Sequence, residues 1–351
     1  MGRLKSVPGK YWGVVDHLRE LIRGGALEPG TRLPSFAELQ ERFGAATTTI
    51  SRAFLTLEQE GLVVRQQGRG VFVAEPKPRA RHHVIGVFGH DIEDQIHGYY
   101  ALLLAGARAR AHRDGSEILL LDAPPSGGWA KVDGLLLHGG EGASALDSLP
   151  VQIPAVTLMW AFADCPSVST DDFQASRRLT QHLLDLGHRR IAYMGFTHSV
   201  PAAIRMAGYE NALHTANVPI DGRLEKNMLA LGSMLHCGRL TMEQWLGEEW
   251  RGLGCTALVA QNDHVAMGAM QALIAAGMRI PEDVSVVGFD GTYECEMCSP
   301  RLTTAEVPLA QLGERAVGML LERIGGRTGD IESIVLPAPL VVRESTAKCH
   351  G

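Results

Sequence analysis

Within residues 30–73, a helix start is followed by a tight turn, a second helix and a basic hairpin. Ser35 and Glu38 have the spacing of a capping box, in which the two side chains satisfy backbone N–H groups at the start of a helix. The pattern predicts a helix that runs to about Phe43 and ends at Gly44. Few folds accommodate these short elements in this order, so the stretch strongly constrains the first domain.

A second helix is predicted to begin near Thr47 and to end at Gly61. Ile50, Phe54 and Leu57 are separated by four and three residues, so they share one face of the helix, which we expect to be buried. The opposite face carries hydroxyl groups and one guanidinium, which suits contact with a polar surface.

Leu62–Arg65 and Val71–Val73 predict two short strands around the turn Gly68–Arg69–Gly70. Helix, turn, helix and hairpin together indicate a winged helix-turn-helix. In that fold the second helix enters the DNA major groove, and the hairpin reaches the neighbouring backbone or minor groove. An ordinary helical pair with a solvated face is the alternative, but the basic hairpin in this position favours DNA binding.

The candidate DNA contacts are hydroxyl, amide and guanidinium groups that can bond base edges or phosphates. They are Ser35, Thr47, Thr48, Thr49, Ser51, Arg52, Arg65, Gln67, Gly68 and Arg69. We expect the helix residues to face the groove and the wing residues to lie near phosphates.

Residues 7–74 resemble the DNA-binding domain of the gluconate-repressor (GntR) family through the motifs GTRLPS and RQQGRGVFV. The resemblance implies the same winged scaffold. Ala37, Thr47 and Ser51 stand where the family usually has arginine. The usual operator half-site is therefore not implied, and Arg52 is expected to take over part of the base readout.

Charge is distributed unevenly along the chain. Residues 1–83 hold 13 basic and 8 acidic residues, a net charge of +5, within a chain whose net charge is −6. A basic first domain on an acidic remainder suits DNA binding at one end only. No apolar run approaches the ~20 residues of a membrane span, and the first residues lack the apolar core of a signal peptide, so we expect a cytoplasmic protein.

Residues 75–83 contain two prolines and several basic residues, which predicts a linker with a solvated His82–His83 pair. From Val84 onwards, short apolar runs alternate with helical stretches, which predicts parallel sheets covered on both faces and divided between two lobes. The strand candidates are 84–88, 117–121, 134–137, 155–158, 190–194, 256–260 and 285–289. The helix candidates are 99–113, 173–186, 204–217, 242–250 and 264–276.

Several segments of this second part resemble the effector module of the lactose-repressor (LacI) family, which is related to periplasmic sugar-binding proteins. They include IRMAGYENAL, LVAQNDHVAMGAMQAL and PEDVSVVGFDG, and the resemblance covers about 84–347. A GntR-type reader joined to such a sensor is similar to the arabinose-repressor family. The implied fold is an N-terminal winged helix plus a two-lobed α/β periplasmic-binding-protein-like domain that dimerises.

The resemblance also implies lobe boundaries and three chain crossings between the lobes. The first lobe is expected at about 84–163 and 305–331, and the second at about 164–304 and 332–346. Ligands in such folds bind between lobes, at the carboxyl ends of the strands.

Family ligand positions correspond here to Arg205, Asn262 and Asp290. These groups suit the vicinal hydroxyls of a sugar, since arginine donates, aspartate accepts and asparagine does both. Asn262 and Asp290 each follow an apolar strand, where helix caps are also common. Trp160, Asp91, Gln95 and Tyr99 are weaker effector-binding candidates, on loops that face the cleft in the family.

The function expected from these features is a dimeric, ligand-responsive transcription regulator that binds a pseudo-palindromic operator, most simply a repressor released by a small sugar. The alternative is a regulator whose DNA binding is promoted by its effector, for example a nucleobase or a phosphosugar. GntR-type domains are also fused to pyridoxal-phosphate aminotransferases, but residues 84–347 match the sensor instead. Adjacent helix residues such as Asp263 and His264 point apart, so no catalytic pair is expected there.

Six cysteines are scattered through a chain without an export signal, so reduced thiols are expected. Cys295 and Cys298 form the only close pair. A four-ligand zinc site would need further partners. No metal and no cofactor are therefore predicted.

Overall fold

The chain divides into two compact units, Met1–Arg81 and His82–Gly351. The computed structural model describes residues 10–23, 26–60, 62–66, 69–74, 82–89, 98–121, 131–139, 142, 146, 149, 153–159, 165–196, 200–229, 232–327 and 332–349. Within these ranges, no helix combines the length and the apolar character that crossing a bilayer requires. Most of the predicted linker, residues 75–81, lies outside the described part.

The described part of the first unit contains three helices and a two-stranded hairpin. The helices are α1 (Lys10–Arg23), α2 (Phe36–Phe43) and α3 (Thr47–Gln59), and the strands are β1 (Val63–Gln66) and β2 (Gly70–Val73). The capping box is confirmed, because the Ser35 hydroxyl accepts from the Glu38 amide and the Glu38 carboxylate accepts from the Ser35 amide. Gly44 ends α2 in the left-handed conformation at φ 55°, as predicted from its position.

The core of the first unit joins all three helices to the hairpin. Ile50, Phe54 and Leu57 are fully buried, which confirms their shared face. On α1, the sequence places Trp12, Val15, Leu18 and Ile22 three to four residues apart, which predicts one buried stripe. The side chain of Trp12 is nevertheless 51% exposed, so it does not belong to that stripe. Residues 30–33 also pair with β2, through backbone hydrogen bonds of Leu33 with Val71 and of Thr31 with Val73.

Within its described residues, the second unit contains two six-stranded sheets. The strands of the first sheet are β3 (Val84–Phe88), β4 (Glu117–Leu121), β5 (Gly134–His138), β6 (Ala155–Leu158), β7 (Ser167–Thr170) and β13 (Ser333–Leu336). The strands of the second sheet are β8 (Ile191–Gly195), β9 (Glu225–Asn227), β10 (Ala257–Ala260), β11 (Ser285–Asp290), β12 (Thr303–Glu306) and β14 (Leu340–Val341). The two-lobed α/β fold expected from the sequence is therefore confirmed.

Strand order is equivalent in the two sheets. It is β13-β7-β6-β5-β3-β4 in the first and β14-β12-β11-β10-β8-β9 in the second, and the neighbours are parallel except for the β12–β14 pair. The first strand of each sheet therefore lies between its second and third strands. A crevice forms at the carboxyl ends of the strands where the order reverses, which is the usual ligand position in open α/β sheets.

The helices of the second unit cover the sheets. They are α4 (Gly98–Arg113), α5 (Asp172–Asp185), α6 (Val200–Thr215), α7 (Met234–Glu248), α8 (Trp250–Leu253), α9 (Asp263–Ala275), α10 (Glu294–Met297) and α11 (Leu309–Ile324). Helix α4 packs against α11, α5 against α6 and α7 against α9. The helix predicted at 242–250 begins eight residues earlier, because Ser233 caps it by accepting from the His236 amide.

The chain crosses between the lobes at positions that differ from the predicted boundaries. Strand β7 lies in the first sheet, although residues 164–304 were expected in the second lobe. Strand β13 also lies in the first sheet, where Ser333 pairs with Ser167, although residues 332–346 were expected in the second lobe. The first and third crossings therefore follow Thr170 and Leu336, since a chain can leave a sheet only where a strand ends.

Candidate effector pocket and DNA-binding surface

A cavity of about 220 Å³ lies between the two lobes. The first lobe contributes Tyr99 and Tyr100 from α4, His138 from the end of β5, and Met159. The second lobe contributes Pro201, Arg205, Met234, Asn262, His264 and Asp290. The cavity thus lies at the carboxyl ends of both sheets, and it brings together four of the seven predicted effector residues: Tyr99, Arg205, Asn262 and Asp290.

Two hydrogen bonds and an ion pair hold Arg205 in place. Its Nε donates to Asp172 Oδ2 at 2.8 Å, its Nη1 donates to the Gln261 carbonyl at 2.7 Å, and its Nη2 lies 3.4 Å from Asp290 Oδ1. The guanidinium carbon lies 3.7 Å from the centre of the Phe289 ring, which adds a cation–π contact. Burial acts to lower the pKa of Arg205, but the two carboxylates outweigh it, so the pKa stays above its ordinary value.

Asp290 is the last residue of β11 and is only 6% exposed. Among the described groups its Oδ1 makes no hydrogen bond, although the Arg205 cation lies 3.4 Å away. Burial raises the pKa of Asp290 well above its ordinary value, although Arg205 opposes the shift. Its φ of 114° is strained for a residue other than glycine, and such strain is typical of functional sites.

Asn262 caps a helix and also lines the cavity. It is the N-cap of α9, with its Oδ1 accepting from the Val265 amide at 2.9 Å. It also lines the cavity. Since the cap engages only the oxygen, the amide nitrogen remains able to donate to a ligand.

Aromatic and sulfur-containing side chains form the wall contributed by the first lobe. Tyr99 and Tyr100 pack edge to face, with ring centres 5.2 Å apart, and the Tyr100 hydroxyl hydrogen-bonds His138 Nδ1 at 2.9 Å. Met159 adopts a positive φ of 69° at the end of β6. Such a wall offers an apolar surface to the C–H face of a sugar ring.

One rim of the cavity joins the two lobes directly. Glu294 Oε1, in the second lobe, accepts from the Gly98 amide at the start of α4 in the first lobe, at 3.2 Å. His264 Nε2 lies 3.8 Å from the same Glu294 oxygen. A Cβ on Gly98 would lie 2.6 Å from the Tyr293 ring, so glycine allows this close approach.

Asp263 has a structural role beside the pocket. It is fully buried, and it accepts from the Thr304 hydroxyl at 2.5 Å and from the Thr292 amide at 2.9 Å. These bonds attach the start of α9 to β12 and to the loop that follows Asp290. Burial raises the pKa of Asp263 to about 6.

On α3 of the first unit, Thr47, Thr48 and Arg52 are exposed, as the prediction of a groove-facing surface requires. Thr49 and Ser51 are half-buried, and the Thr47 hydroxyl accepts from the Gln40 amide at 3.0 Å, which joins α2 to α3. Within the described part of the chain, Arg52 has no ion-pair partner, so its guanidinium is available to DNA.

Two further predicted DNA contacts already have protein partners. The Ser35 hydroxyl is engaged in the capping box. Arg65, on the wing, lies 3.3 Å from Glu58 and donates to the Ser51 carbonyl at 3.2 Å, so it holds the wing against α3. Arg69 is exposed at the tip of the wing.

Five of the predicted site residues lie outside the described part of the chain. They are Gln67, Gly68, Trp160, Asp91 and Gln95.

Sequence reasoning missed several candidate site residues. Tyr100, His138, Met234 and His264 line the cavity, and the sequence motifs did not single out any of the four as a ligand contact. In the first unit, exposed Arg32 pairs with Phe72 of the wing. The GTRLPS motif contains this arginine, and its basic charge beside the wing was the signal that could have identified it.

The Cys295–Cys298 pair makes contacts within the protein. Cys295 is buried, and the Cys298 thiol donates to the Cys295 and Pro300 carbonyls. Within the described residues, no group of three or more histidine, cysteine or acidic side chains is arranged to hold a metal ion.

Comparisons with known proteins match both units. Residues 10–73 match the bacterial regulatory proteins of the gntR family, and residues 180–346 match the periplasmic binding protein-like domain. The first match covers the helices and the wing, and the second covers most of the second lobe together with α11 and β13.

Individual relatives include both sequences and solved structures. The arabinose metabolism transcriptional repressor of Geobacillus stearothermophilus is 27% identical over 97% of this chain and 98% of its own length. A LacI family transcriptional regulator from Mycobacterium smegmatis is 30% identical with a TM-score of 0.65, over 76% of this chain and 99% of that chain. A ribose-bound LacI family regulator from Enterococcus faecium is 26% identical with a TM-score of 0.67, over 76% of this chain and 99% of that one.

Proposed function

We propose that this chain, which belongs to the LacI family of transcriptional regulators and carries a DNA-binding domain of the gntR family, is a repressor that a small sugar releases from its operator. The matches of the two units, one to a DNA-binding domain and one to a ligand-binding domain, make the chain a ligand-responsive DNA-binding regulator. The repressor role and the sugar effector are our inferences for this protein.

The observation that carries the proposal is the polar floor of the interlobe cavity. Asp290 Oδ1 is buried without a hydrogen-bond donor among the described groups, and the Asn262 amide and the Arg205 guanidinium lie in the same lining. A buried carboxylate oxygen that receives no hydrogen bond has unused acceptor capacity, so a ligand hydroxyl that donates to it would be favoured. The aromatic wall opposite suits the apolar face of a sugar ring.

Two relatives support a sugar effector by analogy. One is named for arabinose metabolism, and another was solved with ribose bound. The cavity of about 220 Å³ lies below the roughly 300–1,000 Å³ that is usual for drug-sized ligands, which favours a small ligand such as a monosaccharide.

At the DNA, we expect two copies of the chain to place their α3 helices in successive major grooves of a pseudo-palindromic operator. Exposed Arg52 and Thr48 would read base edges, and Arg69 on the wing and neighbouring Arg32 would contact phosphates. The operator half-site would differ from those of relatives that carry arginine in place of Thr47 and Ser51. Dimerisation through the second unit is part of this proposal.

Release follows from a difference in affinity between two arrangements of the lobes. A sugar that contacts both lobes would favour the closed arrangement, which the Glu294–Gly98 hydrogen bond already joins at the rim. If the closed arrangement fits the operator less well, then sugar and operator each weaken the binding of the other by the same coupling free energy, typically ~1–3 kcal/mol. No chemical step is needed, and we propose that the protein is not an enzyme.

The proposal is tested by measuring the affinity of the full-length protein for DNA from its own promoter, with and without a panel of pentoses and hexoses. At least one sugar should weaken binding, and Asp290→Ala should remove the response. Asp283→Ala is the matched control, because Asp283 lies on the surface and pairs with Arg279. If no sugar changes the affinity, the proposal is wrong, and stronger DNA binding with sugar would make the protein a corepressor-type regulator instead.

A further inference from the structure

We propose that a cavity inside the DNA-binding unit is a second ligand site, for an organic anion with a compact apolar body, whose occupant weakens operator binding by engaging Arg32. The cavity has a volume of about 610 Å³, and its lining comes from α1, from α2 and from the segment between them. None of the lining residues belongs to α3 or to the strands of the wing, so the cavity is separate from the groove-reading surface. The volume falls within the roughly 300–1,000 Å³ that is usual for small-molecule sites.

The floor of this cavity is apolar and belongs to the core of the unit. Leu18, Leu33 and Leu39 line it, and each is at most 4% exposed. Half-buried Leu27 and Pro34 extend the apolar surface. Burying an apolar ligand body against such a surface is favourable, whereas an inorganic ion or a phosphate of the DNA backbone could not use it. The occupant is therefore expected to be an organic molecule.

Two arginines make the mouth of the cavity basic. Arg32 and Arg42 both line it, and both are exposed. Neither takes part in the ion pairs of the described first unit, whose basic members are Arg19 and Arg65. Guanidinium groups bind carboxylates and phosphates through paired, charge-assisted hydrogen bonds. Two unpaired guanidinium groups above an apolar floor therefore suit an anion with an apolar body.

Glu38 is the one acidic residue in the described lining, and the helix cap already engages it. Its Oε2 accepts from the Ser35 amide at 2.6 Å and from the Ser35 hydroxyl at 2.9 Å. These bonds hold the pKa of Glu38 below its ordinary value, so the group stays ionised as part of the cap. One carboxylate faces two guanidinium groups, which leaves the lining with a net positive charge that an anion would balance.

His17 adds a buried polar atom that has no partner. Its Nε2 is shielded from solvent and makes no hydrogen bond with the described groups, and the residue lines the cavity. The ring packs against Phe43, with ring centres 5.4 Å apart, which holds it in place. Buried polar groups in folded proteins nearly always have a hydrogen-bond partner. A polar atom of an occupant would satisfy this nitrogen.

Arg32 connects the cavity to the wing. Its main chain pairs with Phe72, and a Cβ on Gly70 would lie 3.0 Å from its Nε, so its side chain lies against the base of the wing. An anion bonded to Arg32 would occupy the charge that the expected contact with an operator phosphate needs. Occupant and operator would therefore weaken the binding of each other. This effect rests on the proposed function, whereas binding in the cavity does not.

The binding test uses 2-naphthoate and its uncharged amide, 2-naphthamide, in calorimetric titrations of the full-length protein. The two probes have nearly the same shape, so a difference in affinity reports the charge. 2-Naphthoate should bind at least about tenfold more tightly than 2-naphthamide, and Arg42→Gln should weaken 2-naphthoate about tenfold while leaving 2-naphthamide unchanged. His17→Phe keeps a ring but removes the nitrogen, and it should also weaken 2-naphthoate. Arg69→Gln removes one positive charge from the wing tip, outside the lining, and should leave the affinity for both probes unchanged.

The operator test measures the anisotropy of labelled DNA from the protein's own promoter, with no probe and with saturating 2-naphthoate. The affinity of the unmodified protein for this DNA should fall at least about fivefold with the probe. Arg32→Gln should bind the DNA more weakly from the start, and the probe should then cause no further loss.

The outcomes separate this inference from the proposed function. Absence of 2-naphthoate binding, or binding that Arg42→Gln and His17→Phe both leave unchanged, overturns the second site. Binding in the cavity that does not change operator affinity overturns the effect on DNA. The response to sugars is measured separately and depends on the other unit, so a failure of every sugar to change operator affinity would reject the proposed function without altering these results.

Discussion

Replacing Arg205 with alanine should destabilise the second unit strongly. The change removes the hydrogen bonds to Asp172 and to the Gln261 carbonyl, the ion pair with Asp290 and the contact with the Phe289 ring. Both carboxylates are more than 90% buried and would be left without their cation. Removing one partner of a buried ion pair costs about 3–5 kcal/mol.

The cost is measurable against a typical domain stability of about 5–15 kcal/mol. At roughly 2–4 °C per kcal/mol for a large domain, the melting temperature of the second unit should fall by roughly 6–20 °C. Fluorescence of Trp245 and Trp250, both fully buried in the second lobe, reports this transition. Arg205→Lys should recover only part of the loss, because one ammonium group cannot reproduce the planar fork.

A matched control is Arg279→Ala, which removes an arginine whose side chain is 70% exposed and ion-paired on the surface. Such surface pairs contribute about 0–1 kcal/mol, so the melting temperature should barely change. Equal melting temperatures for Arg205→Ala and the unmodified protein at pH 7.5 would refute the reasoning about the buried network.

Three further predictions concern other parts of the chain. Arg52→Ala should weaken operator binding by about 1–3 kcal/mol without changing the melting temperature, and unchanged anisotropy titrations would reject that contact. Asp263→Asn should make the free energy of unfolding, measured in urea, less dependent on pH. Burial raises the folded-state pKa of Asp263 to about 6, so its protonated form stabilises the fold below about pH 4. That stabilisation, on the order of 3 kcal/mol, is lost as the pH rises through 6. Glu294→Ala removes the acceptor of the Gly98 amide and should raise the sugar dissociation rate, measured by stopped flow, about tenfold. Glu296→Ala, on the same helix, should leave that rate unchanged. Equal rates for the two variants would contradict a role for this rim contact.

Local signals predicted the first unit well, because its elements are specified by neighbouring residues. The capping box at Ser35, the apolar spacing of Ile50 and Phe54, and the glycine at 44 each act within a few residues, and the structure confirms all three. Trp12 shows the limit of the same reasoning. Its spacing fits a buried stripe, but periodicity alone does not show how much of that helix face packs against the core, and Trp12 lies half exposed.

Pairing between distant segments was harder to predict. Strand β7 reads Ser-Val-Ser-Thr and carries little apolar signal, and in the first sheet it lies between β6 and β13, which comes more than 160 residues later. The lobe boundaries were misplaced for that reason. In the pocket, the family resemblance indicated Arg205, Asn262 and Asp290, while His138, Met234 and His264 come together only through the fold.

The role of Arg205 illustrates the same difference between identity and environment. The sequence indicated an arginine that donates to a ligand, and the structure adds a hydrogen bond from Arg205 to Asp172 and an ion pair with Asp290 at 3.4 Å. The environment of Arg205 therefore differs from that of a free cation. Only the three-dimensional arrangement could supply this distinction.

The central claim is that occupancy of the interlobe cavity and binding of the operator oppose each other through one coupling free energy. The most direct measurement is a pair of titrations on the full-length protein: operator affinity at saturating sugar and at zero sugar, and sugar affinity with and without operator. The account predicts that both affinities fall by the same factor, about 5–150-fold. The sugar used must bind the protein, and Asp290→Ala must abolish that binding. An operator affinity that is the same with and without this sugar would contradict the account.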